Sequence, residues 1–335
     1  MPAPESPSPR GLGPLLAAEA SSLLRDASAS SWLLFKAMIP AVIVVKVLQE
    51  LDLIVLLARP LEPLMALVGL PASMGLVWAT AMLNNIYAAM VVFVSLASDP
   101  SLGAGLSQAQ ATVLCVMMLI AHSLPVELKV ARQCGPTMLS QGVIRVGAAM
   151  LCGMAMHWCY AASGWLSQPN AILFTPGRRP DGWGQWAWDQ TLNLLAIFAV
   201  IVALMALMRL LKVLRVTDLL VRLLAPLLRL VGVGRDAAAI TVVGLALGLT
   251  YGGGLIINES RSGRIGMRDV FNSVTFMGLT HALIEDTLLM VMLGADFQGV
   301  FWGRLLFSLA LLAVLARMLA RMPDHVFARR LMRPA

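Results

Sequence analysis

Long apolar runs separated by short charged breaks dominate the chain. Four windows hold no Asp, Glu, Lys or Arg: residues 63–98, 146–177, 191–208 and 237–258. A membrane-crossing helix needs about 20 apolar residues, and these windows supply them. Apolar runs and their breakers predict ten helices, at 32–49, 51–70, 72–97, 107–124, 137–163, 190–214, 217–231, 236–257, 267–293 and 299–318. Ten-residue segments of alternating polarity are absent, which excludes an outer-membrane barrel. The predicted fold class is therefore an all-α polytopic membrane protein with about 8–10 transmembrane helices.

Within this pattern the two sets of five helices resemble each other. PLMALVGLP from Pro63 matches PLLRLVGVG from Pro226. NNIYAAM from Asn84 lies where GLTYGGG lies from Gly248, setting Tyr87 opposite Tyr251. AHSLPVE from Ala121 matches THALIED from Thr280, pairing His122 with His281 and Glu127 with Asp286. Three matches in one order indicate an internal repeat. The predicted organisation is a disordered or amphipathic N-terminus (1–30), a first repeat (31–165), a Trp-rich loop (166–189), a second repeat (190–320) and a basic tail (321–335). Five crossings per repeat would make the halves inverted. The segments 51–70 and 217–231 carry central prolines and charges (Arg59 and Glu62, Arg222 and Arg229). If these lie flat at the interface, four crossings per half would make the repeats parallel.

Composition agrees. Of 335 residues, 59% are hydrophobic and 13% charged, about half the charge of a soluble domain, and mean hydropathy is +0.81. The net charge of +7 reflects basic residues near helix ends, the positive-inside pattern, and does not imply a nucleic acid polymer. It predicts a multi-pass protein of a bacterial inner (plasma) membrane, with both termini cytoplasmic and Trp183, Trp186 and Trp188 anchoring the outer interface. The N-terminus MPAPESPSPRGLGP has no early apolar core and is not a cleavable signal. Cys115, Cys134, Cys152 and Cys159 show no CxxC spacing and are expected as small buried hydrophobes.

The candidate chemistry lies in the third match. A charge at mid-membrane costs several kcal/mol and usually faces a cavity or a partner. His281 and Glu285 are four apart, so a continuous helix would place them on one face with Asp286 turned away. Pro125 breaks the helix between His122 and Glu127. A His and an acid in each half suggest a midplane site built from both. Three chemistries fit. One is proton relay. The second is a divalent cation on His122, Glu127, His281 and Glu285. The third is hydrogen bonding to a polar organic solute. The plainer alternative is that each His pairs with its own acid and fixes a helix break.

Gly252, Gly253 and Gly254 invite local unwinding, which a membrane tolerates only where protein or a wet cavity satisfies the freed backbone. Tyr251, Asn258 and Glu259 flank them. Asn84 and Asn85, followed by Tyr87, are amides in an uncharged run that need partners. They serve as interhelical glue or as cavity lining. Asn272, Ser273, Thr275 and Thr280 form a looser polar stripe leading to His281. GxxxxGK[ST], HExxH and GxSxG are absent, so neither a phosphate-loop nucleotidase nor an enzyme with a known nucleophile is expected, and no cofactor.

YGGGLIINE followed by THALIEDT, echoed by NNIYAAM and AHSLPVE, resembles the nucleoside-recognition, or Gate-domain, membrane proteins. That family includes the spore maturation proteins A and B, and related segments occur in the ferrous-iron transporter B. The resemblance covers residues 36–318 as two Gate-like halves. It implies a transporter-like protein for a small polar solute, nucleoside-like, or a divalent cation. The spore-maturation likeness also admits a non-transporting scaffold or accessory subunit. The expected partners are the bilayer, the solute or cation, and either further copies of the chain or a partner membrane subunit. The halves differ, since Asn84 to Met90 stands where the second half has its glycine run.

Overall fold

The computed structural model describes residues 12–51, 53–97, 105–172, 182–247, 254–259 and 265–332. The described residues are helical throughout, with two isolated bridges, Ser107 to Pro169 and Pro136 to Met332. The first half contains α1 (Leu12–Glu50), α2 (Leu53–Ala58), a 3-10 turn (Arg59–Leu61), α3 (Glu62–Leu67), α4 (Met74–Leu83), α5 (Ile86–Ala97), α6 (Gln108–Ile120), α7 (Leu124–Cys134) and α8 (Met138–Ser163). The second contains α9 (Trp183–Val213), α10 (Val216–Leu230), α11 (Arg235–Leu247), α12 (254–259), α13 (Met267–Thr280) and α14 (Glu285–Met292). A π turn (Gln298–Gly303), α15 (Arg304–Ala320) and α16 (Asp324–Leu331) complete it.

Several expectations change. Five helical stretches are long and apolar enough to cross a membrane: Glu19–Glu50, Met138–Ser163, Trp183–Val213, Met267–Met292 and Gln298–Ala320. The pair α6 and α7, bent by 42°, makes a sixth. The expected 8–10 falls to this number among the described residues because the sequence reading counted broken segments as spans. Pro60 and Pro63 split 51–70 into pieces of six, three and six residues. At 15 residues, α10 is about 22 Å long, too short to cross. The amphipathic N-terminal segment, expected as a helix over 15–29, is continuous with the span expected at 32–49 in the single helix α1, and α9 absorbs Trp183, Trp186 and Trp188 from the expected loop. The basic tail contains α16. Residues 125–134, expected as a loop, are helical, so Cys134 is buried. Cys115 and Cys152 are buried as expected, while Cys159 is exposed on α8.

Contacts at the two ends fix the direction of the central spans. At the start of α6, Gln108 Nε2 donates to Gly294 O (3.1 Å), and Thr112 Oγ1 accepts from Asp296 N (2.9 Å), just past the end of α14. At the far end, Gly135 after α7 lies against Val270 near the start of α13, and Gln141 Nε2 donates to Thr275 Oγ1 at 3.0 Å. The α6–α7 and α13–α14 spans therefore run antiparallel, side by side.

The helices α4 and α5 form a hairpin with both ends at one face. Before α4, Gly69 O accepts from Gln110 Nε2 (2.8 Å). At the other end, Ser95 near the end of α5 donates to Gln49 (3.3 Å), and Val94 faces a cleft with Leu293. The tip, Asn84–Asn85, reaches inward, where Ala81 O accepts from Ser123 N (2.9 Å) between α6 and α7. The hairpin therefore dips to the α6–α7 break without crossing.

Candidate cation site between two helix breaks

Two breaks meet at the centre. After α6 the chain turns through Ala121 to Ser123 before α7. After α13 it turns through His281 to Ile284 before α14. Each turn carries a left-handed non-glycine residue, Ser123 (φ 47°) and Ala282 (φ 48°). Such φ values are rare for residues with a Cβ and mark a conformation held by its surroundings.

The histidine ahead of each left-handed residue bonds back to its own helix. His122 Nδ1 lies 3.1 Å from Met118 O and 3.2 Å from Leu119 O, and His281 Nδ1 lies 2.9 Å from Met277 O. A carbonyl oxygen only accepts, so each Nδ1 carries a proton and donates it. Each ring then turns its Nε2 to the centre, where it offers a lone pair whenever that nitrogen is unprotonated. The two Nε2 atoms are 3.2 Å apart, and their residues lie 159 positions apart in sequence. Glu127 Oε1 lies 3.0 Å from His281 Nε2 and 3.2 Å from His122 Nε2. His122 thus meets the acid of its own half, while His281 engages the acid of the other half rather than its own, so the plainer pairing within each half holds in the first half alone. Asp286 Oδ2 approaches His122 Nε2 at 3.9 Å.

Behind each histidine sits a buried arginine that the sequence reading did not single out. Arg145 on α8 donates from Nε to Ile120 O (2.9 Å), from Nη2 to His122 O (3.1 Å) and from Nη1 to Glu127 Oε2. Arg304 opening α15 donates from Nε to Leu279 O (2.8 Å) and from Nη2 to His281 O (3.0 Å). Their relative exposures are 2% and 0%. The two arginines, and the carbonyls they bind, are separated by the same interval as the two histidines. A lone Arg in an apolar run, recurring at the histidine interval, was the available signal. Both guanidinium groups hold break carbonyls that no helix satisfies, which is what a buried helix end requires.

The remaining candidates scatter. The break at His281–Ile284 removes the shared face expected for His281 and Glu285. Glu285 opens α14 and accepts from Tyr87 OH at 3.5 Å, outside the cluster His122, Glu127 and His281, whose ligand atoms lie within 4.8 Å of one another. Asn85 Nδ2 donates to Asn84 Oδ1 (2.9 Å), and Asn85 Oδ1 accepts from Ala88 N (2.8 Å), an N-cap for α5 at the hairpin tip. Asn85→Ala should therefore cost about 1 kcal/mol, read as a lowered melting temperature of the detergent-purified chain. Tyr251, Gly252 and Gly253 lie outside the described residues. Gly254 opens α12, where Asn258 is exposed and Glu259 half-buried.

Over 271 residues the chain is 26% identical to a protein named uncharacterized membrane protein YvoD, from Bacillus subtilis (strain 168), across 79% of this chain and 83% of that protein. No family model matches the chain, and no solved structure matches it. Its apolar spans and this relative agree: the chain is a helical membrane protein.

The central geometry limits the chemistry. Two lone pairs and a carboxylate oxygen within 3.2 Å repel one another unless positive charge lies between them. That charge is either a proton on one imidazole or a metal cation. Zinc–nitrogen bonds of about 2.0–2.1 Å in a tetrahedron put neighbouring ligand atoms about 3.3 Å apart, close to the observed spacing. Bonding Nδ1–H to a backbone carbonyl is the usual way a protein orients a metal-ligating imidazole.

Proposed function

We propose that this chain is a multi-pass bacterial inner-membrane transporter of divalent transition-metal cations, built from two inverted halves, with the ion held between them by His122, His281 and Glu127. The observation that carries this reading is the convergence of both Nε2 atoms and one carboxylate oxygen, with each Nδ1 anchored. The ligand atoms lie within 4.8 Å of one another, which suits an ion and leaves no room among them for the ring system of a nucleoside.

Inversion is supported by the antiparallel central spans and by the recurrence of each histidine, arginine and left-handed turn at one interval. With hairpins counted as non-crossing, each half has three crossings: α1, α6–α7 and α8, then α9, α13–α14 and α15. The number stays odd, so the halves are inverted although fewer helices cross than expected. Corresponding recesses lie at opposite ends. One, of about 370 Å3, is lined by Gly69, Gln110, His157 and Tyr160. The other, of about 220 Å3, is lined by Gly232, Arg268, Asn272 and Ala316. These suit the two mouths of an alternating path. The end carrying Arg132, Arg268, Arg317 and α16 is the basic one, which supports a cytoplasmic position for it and for both termini by the positive-inside rule.

A second reading follows from the arginine bonds. They fasten two helix breaks firmly, as a static membrane scaffold would need. Reconstitution of the purified chain in liposomes decides between them. Uptake of Zn2+, Mn2+ and Fe2+, and of labelled uridine, is followed with and without a pH gradient. Saturable uptake of a metal but not of uridine is expected. Folded protein that moves none of them would overturn transport and leave the scaffold.

A further inference from the structure

The two halves match at the centre in their histidines, arginines and left-handed turns but differ in how their acids are used. In the first half Glu127 bridges, with one oxygen on Arg145 Nη1 and the other on the imidazoles. In the second half the corresponding pair is open. Arg304 makes the same two backbone bonds as Arg145, but its buried Nη1 has no hydrogen-bond partner among the described residues. Asp286 is 9% exposed, and its carboxylate has no hydrogen-bond donor among the described residues. Its nearest cationic or imidazole contact is His122 Nε2 at 3.9 Å, and it lies within the electrostatic reach of Arg304. A buried donor without a partner and a largely buried carboxylate in its electrostatic reach are costly for a protein to keep apart. Glu carries one methylene more than Asp, so Glu127 spans arginine and imidazole at once. The shorter Asp286 reaches one or the other.

Resting on the cation site proposed above, we infer that Asp286 is the exchangeable fourth ligand of that site, and that Arg304 is the partner it returns to when the ion leaves. On the ion side, Asp286 closes its 3.9 Å separation from His122 Nε2 to the roughly 3.3 Å ligand spacing of a tetrahedral centre, and moves toward His281 and Glu127 as it does so. The resulting set of two imidazoles and two carboxylates, one from each half, selects borderline transition metals such as Zn2+, Co2+ or Fe2+. It selects against Mg2+ and Ca2+, which require six or more oxygens. On the arginine side, Asp286 occupies Nη1 as Glu127 occupies that of Arg145, and three ligands remain. Moving one carboxylate thereby switches the site from holding to releasing. Glu127 stays fixed by its own arginine.

The test uses the full chain in nanodiscs. Co2+ is titrated by its visible absorption, which reports the ligand set. Zn2+ affinity is measured against a chromophoric chelator, and release is timed after adding excess EDTA. The wild-type chain should bind one Co2+ with the strong bands of a four-coordinate ion. Asp286→Asn should weaken Zn2+ binding by about 10–100-fold, speed release and alter the Co2+ spectrum. Removing the return partner by Arg304→Met should slow release. If that variant misfolds, Arg304→Lys, with a shorter reach and fewer donors, should slow it in the same direction. An Asp286→Asn chain with wild-type affinity, release and spectrum would overturn the inference and leave the three-ligand site standing. A wild-type chain that binds neither Co2+ nor Zn2+ would overturn the cation reading itself.

Discussion

The paired change His122→Ala and His281→Ala should abolish divalent cation binding, and each single change should weaken it by more than about 100-fold. Even partners that merely orient a metal ligand are worth about 10–100-fold, and here the ligand atom itself goes. The two imidazoles act as a unit because each Nε2 is 3.2 Å from the other and each is in reach of Glu127 Oε1. Removing one leaves a single nitrogen beside the carboxylates, a poorer set for a transition-metal ion. Thermal unfolding in detergent, with and without Zn2+, checks this. Saturation at about 100 times Kd stabilises a folded chain by about 2.7 kcal/mol, so the wild type should melt higher with Zn2+. The double variant should show no such gain. Each variant also loses a bond from Nδ1 to a helix carbonyl, so its melting point without metal should fall modestly. The metal-dependent difference, rather than the absolute melting point, is therefore the informative quantity. A Zn2+ shift that survives the double change would sink the assignment.

What the sequence revealed, and what it concealed, follows the range of the forces involved. Apolar periodicity reads out where α8 and α9 lie, because a lipid-facing helix states its burial in its composition. The predicted segment 137–163 coincides with α8 within one residue of each end. Composition does not say whether an apolar run crosses. Residues 72–97 read as one span, yet Asn84–Asn85 turn them into a hairpin whose arms are ten and twelve residues. Both arms are as apolar as a true span because protein rather than lipid surrounds them. The histidines and Glu127 were legible from the repeated motif. Their contact across the halves was not, since it depends on two helix ends meeting at residues 159 positions apart. Glu285 was misplaced because an i, i+4 argument assumes an unbroken helix, and the break at Ala282 lies in a stretch with neither Gly nor Pro to announce it. Arg145 and Arg304 were passed over because each sits near the end of an apolar run, where a basic residue ordinarily reads as an interfacial anchor. Here both are buried because each supplies donors to two carbonyls that the breaks expose.

Those arginines carry the second large effect, and their inequality makes it a sharp test. Arg145→Met should destabilise the folded chain by about 3–5 kcal/mol, the usual cost of leaving one member of a buried ion pair alone. Arg304→Met, compared with Zn2+ present so that Asp286 is on the ion, should cost clearly less. Both changes remove two hydrogen bonds to break carbonyls, to Ile120 O and His122 O in one case and to Leu279 O and His281 O in the other. Only the first strands a carboxylate that had been paired, because Glu127 sits on Arg145 while Arg304 Nη1 has no partner to lose. The difference between the two variants therefore isolates the ion pair from the backbone bonds. Adding Glu127→Leu to Arg145→Met should recover part of the loss, since a buried pair replaced by apolar groups is often tolerated where a broken pair is not. Unfolding by SDS in mixed micelles, monitored by tryptophan fluorescence, gives the three values. Equal costs for the two arginine variants, or a double change no better than Arg145→Met, would show that the carbonyl bonds alone hold the centre together. The difference between Glu127 and Asp286 would then have no energetic counterpart.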